Sequence, residues 1–144
     1  MPKSLTLVVV TVLCFVQCNT RFESSIPYAR VSVHYTDIQG KLLTTFGNIV
    51  VQPSPTTFVG YAGVAAFRNT DGLVTAYELA CPYELRTNVA IRLTQGSPIA
   101  ECPQCHSHYD LSIGGYPIDG TSKEKLKTYN CSYSDREQIL RIWN

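Results

Sequence analysis

GVAAFRNTDGLVTAYEL, residues 63–79, carries the clearest structural signal in this sequence of 144 residues. Two runs rich in apolar residues, Val64–Arg68 and Leu73–Leu79, flank a polar turn at 69–72. The turn ends on Gly72, and glycine tolerates the positive φ that tight hairpin turns require. The stretch therefore predicts an antiparallel β-hairpin, around which the rest of the fold is arranged.

The chain on both sides of this hairpin continues in strand-like segments. Alternation of apolar and polar residues is typical of half-buried strands, and no long helical period follows the N-terminal segment. The stretch 48–61 contains Pro53 and Pro55, which favour a loop or an irregular sheet edge. Many short strands separated by turns predict an all-β antiparallel sandwich or barrel. The other predicted strands are 28–35, 41–46, 88–93, 99–101, 125–133 and 138–143.

Length and charge limit the classes of function. A chain of 144 residues is typical of one domain. A net charge of +1 disfavours nucleic acid as a partner. The sequence has no Gly-x-Ser-x-Gly motif, no paired catalytic carboxylates and no phosphate-binding glycine loop. We therefore expect one domain that is not an enzyme.

The N-terminal segment 1–17 is typical of a lipoprotein-type signal peptide. Lys3 supplies the positive charge, and Leu5–Val16 form an apolar run of 12 residues, which is too short to span a bilayer comfortably. Cys18 follows closely and resembles the lipidated cysteine of bacterial lipoproteins. Cleavage before Cys18 leaves 144 − 17 = 127 residues, of which 18–27 form a linker. The segment predicts a lipid-anchored, extracytoplasmic protein of the cell envelope; an ordinary cleaved signal is the alternative.

Two cysteine-containing stretches each follow a predicted strand. ACPYE occupies residues 80–84, and CPQCHSHYD occupies residues 102–110. Both begin their turn with Cys-Pro, and both leave a hairpin strand at one end. Because the two strands belong to one β domain, the stretches are expected to converge there and to bring their cysteines together.

The order of these motifs resembles the Rieske iron–sulfur family from Val64 to Ile142, which is nearly all of the domain after the loop that contains Pro53 and Pro55. The segments that carry the resemblance are NTDGLVTAYELACPY, GSPIAECPQCHSHYDLSIGGYPIDG and LKTYNCSYSDREQILRI. The resemblance implies that residues 28–144 form a Rieske-like β domain. It also implies a small cluster-binding subdomain that contains residues 80–84 and 101–120, and a 2Fe-2S cluster that passes one electron between protein partners in the envelope.

The sequence departs from the family at the positions of the ligands. A Rieske cluster is held by two cysteines and two histidines. Cys81 and Cys102 match the two cysteines, whereas Tyr83 and Cys105 stand at the histidine positions and His106 replaces the following glycine. We therefore take Cys81, Cys102 and Cys105 as candidate metal ligands, with Tyr83 and His106 as further candidates.

Two hydroxyl residues support the same resemblance. Ser107 and Tyr109 match positions whose hydroxyls, in some Rieske proteins, donate hydrogen bonds to the cluster sulfurs. Such bonds stabilise the reduced cluster and raise its potential. The resemblance implies that both side chains surround the centre without binding metal.

Four interpretations of the three cysteines are open at this stage. They hold a modified iron–sulfur cluster, or they form a zinc site of the Cys₃His kind. Alternatively, two of them form a disulfide, or the site is vestigial and the domain is a structural or interaction module. Separately, Cys131 is predicted to be a small buried residue in a strand, and Asp110 to cap the turn before Ile113.

Overall fold

The computed structural model describes residues 24–51 and 59–144. In this part of the chain, ten strands and two short 3₁₀ helices account for the regular structure. The 3₁₀ helices are Lys41–Leu43 and Leu111–Ile113. The strands are β1 Ser32–Thr36, β2 Asn48–Val51, β3 Val64–Arg68, β4 Val74–Glu78, β5 Arg92–Leu93, β6 Ile99–Glu101, β7 His108–Asp110, β8 Tyr116–Asp119, β9 Thr128–Ser134 and β10 Ile139–Trp143.

The strands form two antiparallel sheets. The larger sheet has the order β1-β10-β9-β4-β3-β2 and curls into a half-barrel, and the smaller sheet has the order β5-β6-β7-β8. The predicted all-β antiparallel class is therefore confirmed, together with a small second sheet formed by the chain around the second cysteine stretch. Within residues 24–51 and 59–144, no helix is both long and apolar enough to cross a membrane.

The β3–β4 hairpin lies between two hydrophobic cores. Ala65 and Phe67 face the core that is shared with the small sheet. Val64 and Ala66 face the core inside the curled sheet. Burial on both faces explains why this strand reads as a continuous apolar run instead of an alternating one.

The predicted strand at 41–46 is wrong, because Lys41–Leu43 form a 3₁₀ helix. The buried carboxylate of Asp37 accepts hydrogen bonds from the backbone N–H groups of Lys41 and Leu42, at 3.0 and 2.8 Å. Gly40 turns the chain into this helix with a left-handed φ of 60°. A side chain that binds free backbone donors thus favours a helical turn over a strand.

Several strand boundaries also differ from the prediction. Of the predicted strand 88–93, only Arg92–Leu93 pair in a sheet, although Ala90 bridges Ala80. The stretch 48–61 was predicted to be a loop or an irregular sheet edge. Its first four residues form β2, which lies at the edge of the larger sheet. Pro53 and Pro55, the predicted signal 1–17 and the candidate lipidation site Cys18 lie outside the described residues.

The last residue of β4, Glu78, is a fully buried carboxylate. Its oxygens accept hydrogen bonds from the N–H groups of Tyr61, Ala62 and Ala80, at 2.7, 2.8 and 3.1 Å, and from the hydroxyl of Tyr129 at 2.6 Å. Buried charges are stable only when they are paired or hydrogen-bonded in this way. The network fixes the end of β4, from which the first cysteine stretch begins.

Candidate metal centre

Two short loops carry the cysteines. The first cysteine loop, residues 81–85 (CPYEL), follows β4, and the second cysteine loop, residues 102–106 (CPQCH), connects β6 to β7. The core shared by the two sheets includes both Cys81 and Cys102. The sheet pairing therefore brings the two loops together, as the sequence predicts.

The two loops have the same backbone turn. In the first loop, the N–H of Leu85 donates to the carbonyl of Cys81 at 3.0 Å. In the second loop, the N–H of His106 donates to the carbonyl of Cys102, also at 3.0 Å. Leu85 and His106 are both left-handed, with φ of 50° and 55°, a conformation that non-glycine residues rarely adopt. Each loop is thus a cysteine-initiated turn that closes on its fifth residue.

The exposure of the side chains repeats as well. In both loops the first residue is a fully buried cysteine, the third residue is exposed, the fourth is partly buried and the fifth is exposed. The two loops therefore share their backbone turn and, at all positions except the second, their pattern of exposure. The corresponding pairs are Cys81 with Cys102, Tyr83 with Gln104, Glu84 with Cys105, and Leu85 with His106.

Three sulfur atoms meet where the loops converge. The Sγ atoms of Cys81, Cys102 and Cys105 all lie within 4.8 Å of one another, and those of Cys81 and Cys105 are 3.6 Å apart. All three cysteines are free thiols. Thiolates that bind one zinc ion tetrahedrally at about 2.3 Å stand roughly 3.8 Å from each other. The spacing of the sulfurs therefore suits a metal centre.

Two hydroxyl groups contact these sulfurs from the buried side. The hydroxyl of Tyr109 lies 3.3 Å from Sγ of Cys81, and Oγ of Ser107 lies 3.2 Å from Sγ of Cys105. The N–H of Ser122 donates to Oγ of Ser107 at 2.9 Å and holds it in place. Both Ser107 and Tyr109 are fully buried. Once the thiols ionise, each hydroxyl is placed to donate a hydrogen bond to a sulfur.

A close approach of the chain covers Ser107. Gly120 has a φ of 93°, and a Cβ atom at this position would lie 2.5 Å from Cα of Ser107. Only glycine fits such a contact without a shift of the backbone. The segment after β8 is therefore packed directly onto the second cysteine loop and closes the buried side of the centre.

The surroundings change the acidity of the groups in the centre. Burial raises the pKa of Cys102 to about 12, although backbone N–H groups of its own loop oppose the change. Burial also acts to raise the pKa of Cys105, but hydrogen bonds from the side chain and backbone of Ser107 outweigh it and leave that pKa below its usual value. Burial and the contact with Cys81 raise the pKa of Tyr109. Tyr109 therefore keeps its proton and remains a hydrogen-bond donor.

Two of the candidate ligands point away from the sulfurs. The side chain of Tyr83 is on the outside of its loop, with the residue 57% exposed. The imidazole of His106 is 73% exposed, and its Nδ1 lies 2.9 Å from a carboxylate oxygen of Glu101. Within the described residues, the group of mutually close donors contains the three sulfurs and no imidazole. Tyr83 and His106 are thus beside the centre without being directed into it.

Of the two residues assigned outside the centre, Asp110 caps the turn as predicted, whereas Cys131 is only partly buried and not the buried residue that was predicted. Cys131 is half-buried in β9, where its thiol donates to the carbonyl of Val74 at 3.0 Å. Asp110 caps the 3₁₀ helix Leu111–Ile113 by accepting a hydrogen bond from the N–H of Ser112. Sequence reasoning places Glu84 near the three cysteines but does not select it as a ligand, although the likeness of CPYE to CPQC makes it the counterpart of Cys105.

Comparisons with known proteins add no assignment. No protein-family model matches this chain, and no curated protein matches it significantly. The likeness to the Rieske family therefore rests on the motifs and their order. The class of protein that the fold and the site define is an all-β domain with three converging cysteines that could bind a metal.

Proposed function

We propose that this protein is a metal-binding domain whose centre holds one thiophilic ion, such as zinc, through Cys81, Cys102 and Cys105. The observation that carries the proposal is the convergence of three free sulfurs, from two loops, within 4.8 Å. Thiolates select soft or borderline ions such as zinc, copper(I) and iron.

The distances between the sulfurs favour one ion over a cluster of two. In a binuclear cluster, ligands of different irons are separated by both irons and by the bridging sulfides. In the Rieske pattern, Cys105 would bind the iron that Cys81 does not bind. Their sulfurs are only 3.6 Å apart, close to the separation of about 3.8 Å expected when two thiolates share one tetrahedral ion.

A bound ion would have a structural role. Cys81 follows β4 of the large sheet, and Cys102 follows β6 of the small sheet. An ion shared by these residues would tie the two sheets together at one end of their common core. Structural metal sites contribute their binding free energy directly to folding.

A second function, one-electron transfer through a 2Fe-2S cluster, is favoured by a separate observation. Ser107 and Tyr109 match the hydroxyl positions of Rieske proteins, and both hydroxyls lie within 3.3 Å of a sulfur. In that case Cys81, Cys102 and Cys105 would be cluster ligands, with Tyr83 or His106 available nearby. The domain would exchange electrons with a protein partner of the cell envelope, where Cys18 would anchor it to the membrane.

Elemental analysis of protein isolated from its own compartment tests both functions. About one zinc, or one iron without inorganic sulfide, per chain would support the single-ion centre. About two irons with two inorganic sulfides, and a visible absorption that bleaches on reduction, would support electron transfer instead. A thiol count after denaturation without reductant completes the test. If the protein contains no metal and two of the three cysteines Cys81, Cys102 and Cys105 are oxidised, the site is a disulfide. If it contains no metal and all three are free thiols, both functions are refuted.

A further inference from the structure

We propose that Glu84 is the fourth ligand of this centre, which would make it a Cys₃Glu site for one divalent ion. The inference rests on the proposed single-ion function and names the ligand that completes its coordination. It replaces Tyr83 and His106, the two candidates that the sequence suggested.

The equivalence of the two cysteine loops carries the inference. Cys102 and Cys105, the first and fourth residues of the second loop, both contribute a sulfur to the centre. The corresponding residues of the first loop are Cys81 and Glu84. Because the two loops share their closing hydrogen bond and their left-handed fifth residue, the side chain of the fourth residue leaves the backbone in the same sense in both. Glu84 is therefore placed as Cys105 is, on the side of the loop that carries the ligands.

Glu84 is the less exposed member of a loose ion pair. Its side chain is only 12% exposed, whereas that of Arg86, its ion-pair neighbour, is 59% exposed. The separation of 4.0 Å from Nε of Arg86 is too long for a hydrogen bond. Among the described residues the carboxylate of Glu84 thus has this loose ion pair and no closer partner, so it is available to bind a metal ion at the centre.

The chemistry of the ligand set is consistent with a closed zinc site. Carboxylate oxygens bind zinc at about 2.0–2.2 Å. Three thiolates and one carboxylate carry the same total charge as the four thiolates of a Cys₄ site. The carboxylate of Glu84 lies outside the group of donors within 4.8 Å. Rotation about its side-chain bonds, which are more numerous than those of cysteine, would bring an oxygen to the ion.

Cobalt(II), a spectroscopic substitute for zinc, tests the assignment in the full mature domain under anaerobic conditions. The intensity of the thiolate-to-cobalt charge-transfer band reports the number of sulfur ligands, and the visible bands report the geometry. We expect Glu84→Gln to weaken cobalt binding at least tenfold and to alter the visible bands. Glu84→Cys should restore tight binding and raise the charge-transfer intensity by about one third, from three thiolates to four.

Three matched variants serve as controls. Glu101→Gln, which changes a carboxylate beside the second loop, should leave the affinity and the spectrum unchanged, as should Tyr83→Phe and His106→Ala. A wild-type spectrum retained in Glu84→Gln would overturn the assignment, and so would an altered spectrum in Tyr83→Phe or His106→Ala. Protein that binds cobalt through three thiolates, with no effect of Glu84, would leave the proposed function standing. Protein that binds no cobalt would overturn the single-ion function and this inference together.

Discussion

Cys102 and Cys105, two of the three thiols of the candidate centre, differ in how easily they ionise. The lowered pKa of Cys105 reflects the hydrogen bonds that it receives from Ser107, and Cys105 is also the only one of the three that is partly exposed. Burial raises the pKa of Cys102 to about 12. Cys105 is therefore the first thiolate that an incoming ion would meet, and Cys102 would release its proton only as the metal binds.

At the scale of single residues, cysteine substitutions should divide into two groups. Cys81→Ser and Cys105→Ser should each lower zinc affinity by more than about 100-fold, because even the loss of outer partners of a metal site costs roughly 10- to 100-fold. Cys131→Ser should retain zinc, since its thiol contacts the carbonyl of Val74 in β9. Competition with a chromogenic chelator measures all three affinities. The assignment of the centre would be contradicted if Cys131→Ser lost zinc while Cys81→Ser and Cys105→Ser retained it.

At the scale of elements, the β3–β4 hairpin holds the start of the first cysteine loop in place. It lies between the two cores, and its last residue, Glu78, binds the segment at 61–62 and the hydroxyl of Tyr129 on β9. The N–H of Ala80, just before Cys81, donates to the same carboxylate. The position of the first cysteine loop thus depends on one buried charge.

Substitution of Glu78 by Gln should destabilise the fold by about 2–4 kcal/mol, because an amide group would then face buried N–H donors. The exposed Glu137→Gln is the matched control and should change stability by less than about 0.5 kcal/mol. Urea unfolding followed by circular dichroism measures both free energies. Equal stability of the two variants would show that the Glu78 network does not support the hairpin.

At the scale of the whole molecule, a bound ion would couple the two sheets. Zinc at 100 times its dissociation constant should stabilise the domain by about 2.7 kcal/mol, and a chelator should remove this gain. At a constant zinc concentration the gain should shrink as pH falls, because the dissociation constant rises: binding displaces the proton that Cys102, with its pKa raised to about 12, holds at neutral pH. Thermal unfolding with and without zinc at several pH values measures the effect. Cys105→Ser, which lacks one ligand, should show little gain, and an equal gain in this variant would contradict the centre.

The N-terminal segment 1–17 predicts processing and lipidation at Cys18. Cleavage before Cys18 and lipidation of its sulfur should yield a mature chain of 127 residues, 144 − 17, with a mass increased by the lipid. Intact-mass measurement on membrane-extracted protein checks it. The Cys18→Ala variant should appear without lipid. A free N-terminus at any other residue would contradict lipidation at Cys18.

Local patterns were sufficient to predict several features. The turn at 69–72 and the apolar runs beside it predict the β3–β4 hairpin, because hairpin pairing is a short-range property. The repeated Cys-Pro turns at the ends of strands predict that Cys81 and Cys102 approach each other. The prediction of a strand at 41–46 was wrong because the carboxylate of Asp37 accepts hydrogen bonds from the backbone N–H groups of Lys41 and Leu42. Alternation alone does not reveal such a contact.

By itself, the sequence determined the all-β class, the hairpin at its centre and the three cysteines that meet, since each follows from local patterns and turns. Only the tertiary structure decided which neighbouring side chains face the sulfurs. Tyr83 and His106 are exposed, whereas the side chain of Glu84 is only 12% exposed. The reason is physical: the direction of a side chain on a loop depends on the backbone turn and on the packing beneath it, and neither is encoded in the identity of the residue.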